Sequence, residues 1–182
     1  MSRIPYPDPE TLSVEKRRVL DGAEGRVVNV SRMAMHAPQG LWFTQRQLGR
    51  AVIFDTTLDD RLREMVILRV AYLSDSDYEL FHHLSISENL GVTVAQQEAM
   101  RTGDFSALTE QERTLGIFVT EVVRDVAPSD ATLAQARAQF SIEQLFEMVV
   151  VCGSYMLTAR MAGLGGIEPD GVAIANWRVE RT

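Results

Sequence analysis

Side chains able to move protons concentrate in one short segment, Ser74 to His83 (SDSDYELFHH), which holds two of the three histidines in a 182-residue chain. Imidazole gives and takes protons near neutral pH, and a carboxylate beside it fixes its tautomer and raises its pKa. Glu79 stands four residues before His83, so on a helix the two share a face. That face continues through Ile86 and Leu90, which turns His83 inward. Tyr78, His82, Ser85 and Asn89 form a polar neighbouring stripe, which gives His82 a solvated or interface role. A second acid, Glu64, lies on a stripe continued by Ile67, Leu68 and Ala71, so its carboxylate enters an apolar bundle. A buried carboxylate must be paired, hydrogen-bonded or protonated. The expectation for Glu64 is therefore a raised pKa suited to a general acid or proton shuttle, or else a salt bridge to Arg61 or Arg69.

Each of these residues has a purely structural alternative. His83 can be a satisfied core histidine. Ser76-Asp77-Tyr78-Glu79 is also a capping-box pattern, in which Glu79 sits over the first helical turn. There the exposed N–H groups favour its charged form, making it a base or an orienting group rather than a proton donor. Glu79-x-x-His82 has the spacing of a di-iron ligand pair, but such centres use that pair twice, from two helices. The remaining histidine, His36, falls in MAMHAPQG, expected to be a loop that packs or caps near a pocket mouth. No metal and no cofactor are expected.

The elements that must position these groups read as helices. Capping boxes at Thr93/Gln96, Thr109/Glu112 and Ser141/Gln144 each precede an apolar-periodic run, and Gly91, Gly103, Pro128 and Gly165-Gly166 supply stops. The spacing predicts helices near 13–29, 41–53, 59–73, 77–90, 94–101, 110–126, 130–139 and 142–163, with no hairpin or βαβ signal. The fold class is all-α: one domain over 1–182, with an extended, proline-rich lead-in at 1–11 and a tail at 168–182 that wraps on a neighbour or frays. Two segments, 61–73 and 145–157, are apolar on nearly every face and belong at the bundle centre. They align at an offset of 83, Glu64-Met65-Val66 and Tyr72 against Glu147-Met148-Val149 and Tyr155, which hints at an internal duplication. The counterpart of His83 in that alignment is Gly166, so the chemistry sits in one half only.

Composition narrows the partners. With 18 Lys and Arg against 25 Asp and Glu, the net charge is -7, which disfavours nucleic acid and anionic membrane. No uninterrupted apolar stretch approaches the ~18 residues of a membrane span and no apolar leader follows Met1, so the chain reads as soluble and cytoplasmic. A single cysteine, Cys152, leaves no internal disulfide, CxxC pair or cysteine-built metal site, and it reads as a small buried hydrophobe. Trp42, Phe43 and Trp177 are expected as exposed aromatic anchors of a homo-oligomer.

Taken together, Leu62 to Ala71 (LREMVILRVA), Ser76 to His83 (SDYELFHH), Glu88 to Val92 (ENLGV), Val119 to Asp125 and Gly153 to Arg160 resemble the carboxymuconolactone decarboxylase family, which includes the alkylhydroperoxidase D-like proteins. The resemblance runs over roughly 12–168 and implies that family's helical bundle. The redox branch of the family places Glu, eleven residues, Cys, two residues, Cys, three residues, His; here those positions are Glu64, Ser76, Glu79 and His83. Both redox thiols are replaced, which argues against hydroperoxide reduction and leaves the acid–base branch, typified by decarboxylation of a carboxylated muconolactone.

That branch implies a cofactor-free lyase acting on a small organic acid or lactone of aromatic catabolism. Loss of CO2 needs a group that stabilises the developing enolate and protonates carbon, and an imidazolium does both. His83 is assigned the proton transfer, Glu79 its orientation and Glu64 the relay, with His82, Ser76 or Arg69 holding the substrate. Isomerisation or another lysis by the same groups stays open, as does a non-catalytic ligand-binding role. The resemblance further implies a homo-oligomer, trimer or hexamer.

Overall fold

The computed structural model describes residues 2–22 and 27–173. Among them there is no strand: after a 3-10 turn at Pro9–Thr11 come α1 (Val14–Leu20), α2 (Asn29–Ala34), α3 (Gln39–Phe54), α4 (Asp60–Leu73), α5 (Asp77–Asn89), α6 (Val94–Thr102), α7 (Glu110–Asp125), α8 (Asp130–Gln139) and α9 (Ile142–Gly165). The all-α expectation holds. The three capping boxes at Thr93, Thr109 and Ser141 all form, each with reciprocal side-chain and backbone bonds. Gly103 and Gly166 close α6 and α9 in the left-handed conformation, which glycine adopts without steric cost.

Two expectations near the N-terminus are corrected. The helix expected over 13–29 ends at Leu20, because Asp21 caps it and Gly22 turns the chain at φ 80°. His36 lies in the turn between α2 and α3, as its loop expectation has it, with Nε2 2.8 Å from the Pro5 carbonyl, although Met33 and Ala34 of the same stretch end α2. Lys16 secures this corner: its ammonium donates to the carbonyls of Met35 at 3.0 Å and Ala37 at 2.7 Å and lies over the Trp42 ring. Trp42 is therefore buried at 4% exposure, contrary to the anchor expected of it, while Phe43 beside it is 53% exposed. Trp177 lies outside the described residues.

The core is built around α4, whose residues Leu62 to Ala71 are all buried. It packs against α5, α6, α7 and α9, which places it at the bundle centre as its all-round apolar sequence requires. A helix in that position has no solvent side, so each polar group it carries must find a partner inside. Arg69 donates to Thr120 Oγ1 at 2.9 Å and to the Met100 carbonyl at 2.8 Å, and its guanidinium stacks on Phe105. Those bonds tie α4 to α6 and α7. Arg61 pairs with Glu112 and neither arginine bridges to Glu64, so the salt bridge foreseen for Glu64 does not form.

The last helix, α9, differs from its sequence expectation. Although Glu147 and Arg160 interrupt it, its 24 residues are long and apolar enough by length and composition to cross a membrane. One face (Leu145, Met148, Val151, Cys152, Tyr155, Ala159) is buried against the core. The other face remains exposed, from Ile142 to Leu164. Of the expected tail at 168–182, residues 174–182 lie outside the described residues, and Asp170, expected to fray or wrap on a neighbour, is 6% exposed and bonded into this same chain.

Candidate active site

The connection between α4 and α5 decides where the acids and imidazoles meet. Ser74 ends α4, Asp75 takes the left-handed conformation at φ 50°, and the Ser76 N–H returns to the Ala71 carbonyl at 3.0 Å while that of Asp75 reaches Tyr72 at 3.3 Å. These are the two bonds of a Schellman stop, with aspartate in the place glycine usually holds. A three-residue link of this kind leaves little freedom in how α5 folds back on α4. The acidic alternation resolves along it: Asp75 and Asp77 point to solvent, whereas Ser76, Tyr78 and Glu79 are buried.

The fold-back sets Glu64, on the second turn of α4, opposite His83 on the second turn of α5. His83 Nδ1 is 2.7 Å from Glu64 Oε2, and both groups are buried. This bond places the Nδ1 proton toward Glu64 and leaves Nε2 as the ring nitrogen on the Glu79 side. Nε2 lies 3.6 Å from Glu79 Oε2, beyond hydrogen-bond length, so that nitrogen is held near a second acid without being consumed by it. Tyr155 from α9 closes the wall, its ring edge-to-face with the imidazole at 5.0 Å between centroids. Three helices thus converge on one imidazole.

The capping box foreseen at Ser76 and Glu79 is not formed, since Ser76 makes no side-chain cap bond and Glu79 turns into the bundle at 3% exposure. The electrostatic consequence reverses the sequence expectation. Burial raises the Glu79 carboxyl, the His83 charge lowers it, Glu64 raises it again, and the result is a pKa of about 7. Desolvation therefore outweighs the helix N-terminus, and Glu79 becomes the acid poised to exchange a proton at neutral pH. For His83, burial pulls the pKa down, but the Glu64 charge and hydrogen bond and the Glu79 charge outweigh it, with Arg63 opposing them; the net shift is upward. Burial and the two acids hold the Tyr155 phenol far above its ordinary value, which keeps it neutral.

His82 sits in a second, adjoining network instead of on the surface. Its Nε2 lies 3.1 Å from Asp170 Oδ2, which also accepts from Tyr78 Oη at 2.8 Å. Asp170 further accepts from the Asn29 backbone N–H at 3.0 Å, and Tyr78 Oη accepts from that of Val30 at 3.2 Å. Adjacent pairs on α5 are therefore anchored in two directions: Tyr78 and His82 toward α2 and the C-terminal segment, Glu79 and His83 toward α4. The Glu79-x-x-His82 pair diverges between these directions and does not converge on one point. Among the described residues, no group of three or more His, Cys, Asp or Glu is arranged to hold a metal ion.

Of the residues singled out in sequence, the fold brings Glu64, Glu79 and His83 to one place, buries Ser76 at the start of α5, puts His82 on an adjoining network, and engages Arg69 with Thr120 and Met100 instead. Sequence reasoning missed three contributors. Tyr155 was visible only as a repeat partner of Tyr72. Asp170, in Glu-Pro-Asp-Gly, reads as an ordinary turn residue. Arg63, one residue before Glu64, is buried at 4% exposure and donates from Nη1 to Asp60 at 2.6 Å, while its Nε reaches no acceptor. Ser76 Oγ and Glu79 Oε1 are likewise buried without a hydrogen-bond partner.

Comparison with known proteins bears on the family and the fold. Residues 42–115, which contain Glu64, Ser76, Glu79 and His83, match the model of the carboxymuconolactone decarboxylase family, so the resemblance read from the sequence holds over that span. The fold is that of an alkylhydroperoxidase AhpD core protein from Ralstonia eutropha JMP134, described as peroxidase-related and uncharacterized (TM-score 0.77, 19% identity, 93% of each chain). It is also that of a peroxidase-related protein from Silicibacter sp. TM1040 (TM-score 0.74, 17% identity, 93% of this chain and 91% of that one). A protein of unknown function from Agrobacterium tumefaciens, associated by its description with AhpD and antioxidant defence, aligns with TM-score 0.67 at 22% identity over 75% of this chain and 94% of its own. At these identities the likeness shows the fold alone. No curated protein sequence matches the chain.

Proposed function

We propose that this protein is a cofactor-free acid–base lyase that decarboxylates a small organic acid or lactone, in the manner of 4-carboxymuconolactone decarboxylases. The observation that carries the reading is His83, bonded through Nδ1 to buried Glu64 at 2.7 Å and flanked at Nε2 by Glu79, whose pKa is raised to about 7. In the reaction the C–CO2 bond breaks, CO2 leaves, and its electron pair passes into the unsaturated lactone as an enolate. The His83 imidazolium then delivers the Nε2 proton to carbon, and a solvent proton restores the ring, with Glu79 as the relay. Glu64 holds the tautomer and offsets the imidazolium charge before transfer.

Peroxide reduction has no support from the thiol chemistry. The positions of both redox cysteines hold Ser76 and Glu79. Cys152 is fully buried on α9, and burial pushes its thiol up to about 12, so a thiolate nucleophile does not form at neutral pH. The deciding experiment measures CO2 release from 4-carboxymuconolactone alongside reduction of a small alkyl hydroperoxide. Decarboxylation that vanishes in His83→Ala supports the reading; peroxidase turnover that survives in His83→Ala and is lost in Cys152→Ala sinks it. A binding-only protein would show saturable ligand affinity and no turnover of any carboxylated lactone.

Self-association belongs to the same proposal, with a second copy of the chain as the partner. The exposed face of α9 carries Ile142, Phe146, Val149, Val150, Leu157 and Leu164 within one ~100° sector, opposite the buried face. Their spacing of three, four and seven is that of a helix packed against a like helix. Phe146→Glu is expected to lower the sedimenting mass to that of one chain of 20.3 kDa. An unchanged mass would remove α9 as the interface.

A further inference from the structure

A long apolar helix face left in water marks a surface that something else covers. The exposed stripe of α9 runs from Ile142 to Leu164, and Gly153 stands at its middle. A Cβ at Gly153 would meet nothing within 4 Å, so no contact inside the chain requires glycine there. Glycine weakens a helix interior relative to alanine, and what it permits in return is the close approach of another backbone.

The exposed residues are arranged in pairs about that glycine. Val149 and Leu157 stand four residues before and after it, Phe146 and Arg160 seven, Ile142 and Leu164 eleven, and all six are exposed. Where two identical helices cross antiparallel on a twofold axis, each residue faces the one equally far beyond the crossing point on the other copy. A crossing at Gly153 therefore sets Ile142 against Leu164, Val149 against Leu157, and the Phe146 ring against the Arg160 guanidinium, a cation–π pair.

The charges select the direction. Of the charged residues on α9, Glu147 is engaged with Thr57 and Leu58, which leaves Glu143 near the start of the exposed face and Arg160 near its end. An antiparallel pair brings each Arg160 within one turn of Glu143 on the other copy, opposite charges together. A parallel pair sets Arg160 on Arg160 and aligns the two helix dipoles unfavourably. Lipid would cover the apolar residues but offers no partner to either charge.

We propose that α9 is the interface of a twofold dimer, in which two copies of this chain pack their last helices antiparallel and cross at Gly153. This rests on the self-association reading above and deepens it by fixing the partner's direction, its register and the number of copies. A twofold contact closes on two chains, so by itself it does not build the trimer that the family resemblance implies. The exposed face lies opposite the buried one that carries Tyr155, so the dimer stands or falls independently of the lyase reading.

The test reads cross-linking and mass on the full chain. In Val149→Cys/Leu157→Cys the two thiols of one chain are about 12 Å apart along the helix, too far to bridge within it. Across the twofold, each faces the other residue of the second copy, so mild oxidation is expected to give a linked dimer on a non-reducing gel. Either single variant should stay unlinked, because its equivalent on the second copy is again about 12 Å away along the axis. Cys152, fully buried with its thiol pushed up to about 12, does not compete. Gly153→Leu is expected to weaken the dimer about tenfold or more in sedimentation, as overpacking at a close contact does, with its circular dichroism unchanged. Linked single variants, an unlinked double variant, an undiminished Gly153→Leu dimer or a wild-type trimer each overturn the twofold register. If Phe146→Glu still disperses the assembly in those cases, self-association through α9 stands without it. Wild type sedimenting as one chain of 20.3 kDa, free or bound to phosphatidylcholine vesicles, removes both readings.

Discussion

Two long helices, α4 at the bundle centre and α9 with one face exposed, carry the same residue pattern and put it to different uses. Glu64-Met65-Val66 on α4 and Glu147-Met148-Val149 on α9 align without a gap, and both methionines are fully buried. Glu64 meets an imidazole at 2.7 Å. Glu147 instead accepts from the backbone N–H groups of Thr57 at 2.7 Å and Leu58 at 2.9 Å, fastening the loop that leads into α4. The difference originates in the segment after each helix. Beyond α4 a tight stop returns α5 across it and delivers His83, whereas the position matching His83 is Gly166, which ends α9 in the left-handed conformation. A buried acid can join proton transfer only where a second element brings it a base.

The sharpest way to break that contrast is to remove the base. His83→Ala is expected to reduce decarboxylation by about 10³-fold, within the range for a positioned proton donor, while circular dichroism and sedimentation stay unchanged. A residual rate within a few-fold of wild type would leave the α4 and α9 acids equivalent.

Next, the two glutamates can be exchanged for their amides and compared directly. Glu64→Gln should cost ~10²-fold in kcat by loosening the ring tautomer, with little change in melting temperature. Glu147→Gln should leave kcat unchanged and lower stability by about 1 kcal/mol, a shift of roughly 2–4 °C at this chain length. Reversed outcomes in the paired assays would mean the roles have been assigned to the wrong helix.

The pH dependence of folding separates the site from the rest of the chain. Glu79 is raised from 4.5 to about 7, so the native state holds a proton the unfolded chain releases, and its contribution is complete below about 4.5 and lost as pH rises to about 7. His83, also raised, acts in the same direction, its stabilisation present at low pH and lost as pH climbs through its folded value. Urea unfolding of Glu79→Gln should therefore show a flatter profile, gaining up to ~3 kcal/mol on wild type between pH 4.5 and 8. A parallel pair of curves would mean Glu79 is not the desolvated acid.

The smallest effect expected is at Asp170. Its carboxylate takes bonds from Tyr78, His82 and Asn29, so Asp170→Asn should cost about 1–3 kcal/mol in a thermal melt and shift kcat only few-fold, through looser seating of α5. A loss as large as that of His83→Ala would move Asp170 into the catalytic group.

Much of the fold was legible in the chain because helix starts and stops are local. The capping boxes at Thr93, Thr109 and Ser141 formed where their residues stand, and the apolar run of α4 marked the bundle centre, whereas the similar run of α9 buries one face only. The inward turn of His83 and the entry of Glu64 into the core came from helical period alone. Local pattern misled where a tertiary partner overruled it. Ser76 and Glu79 have the residues of a capping box, but burial turned Glu79 toward His83. His82 looked solvated because Asp170, 88 residues away, is not visible from its own helix. Arg69 was the arginine expected to hold the substrate, and only packing against Thr120 and Met100 shows it engaged elsewhere.

The sequence by itself determined an all-helical chain, the helix bearing each candidate side chain, and the lack of a thiol pair, since period, caps and composition depend on near neighbours only. Tertiary structure alone decided which acid is held near neutrality, which arginine is left with an open donor, and that Asp170 locks α5 from outside. Desolvation and hydrogen bonding depend on which groups surround a side chain in space, and those groups arrive from α4, α9 and the C-terminal segment across separations no local pattern encodes.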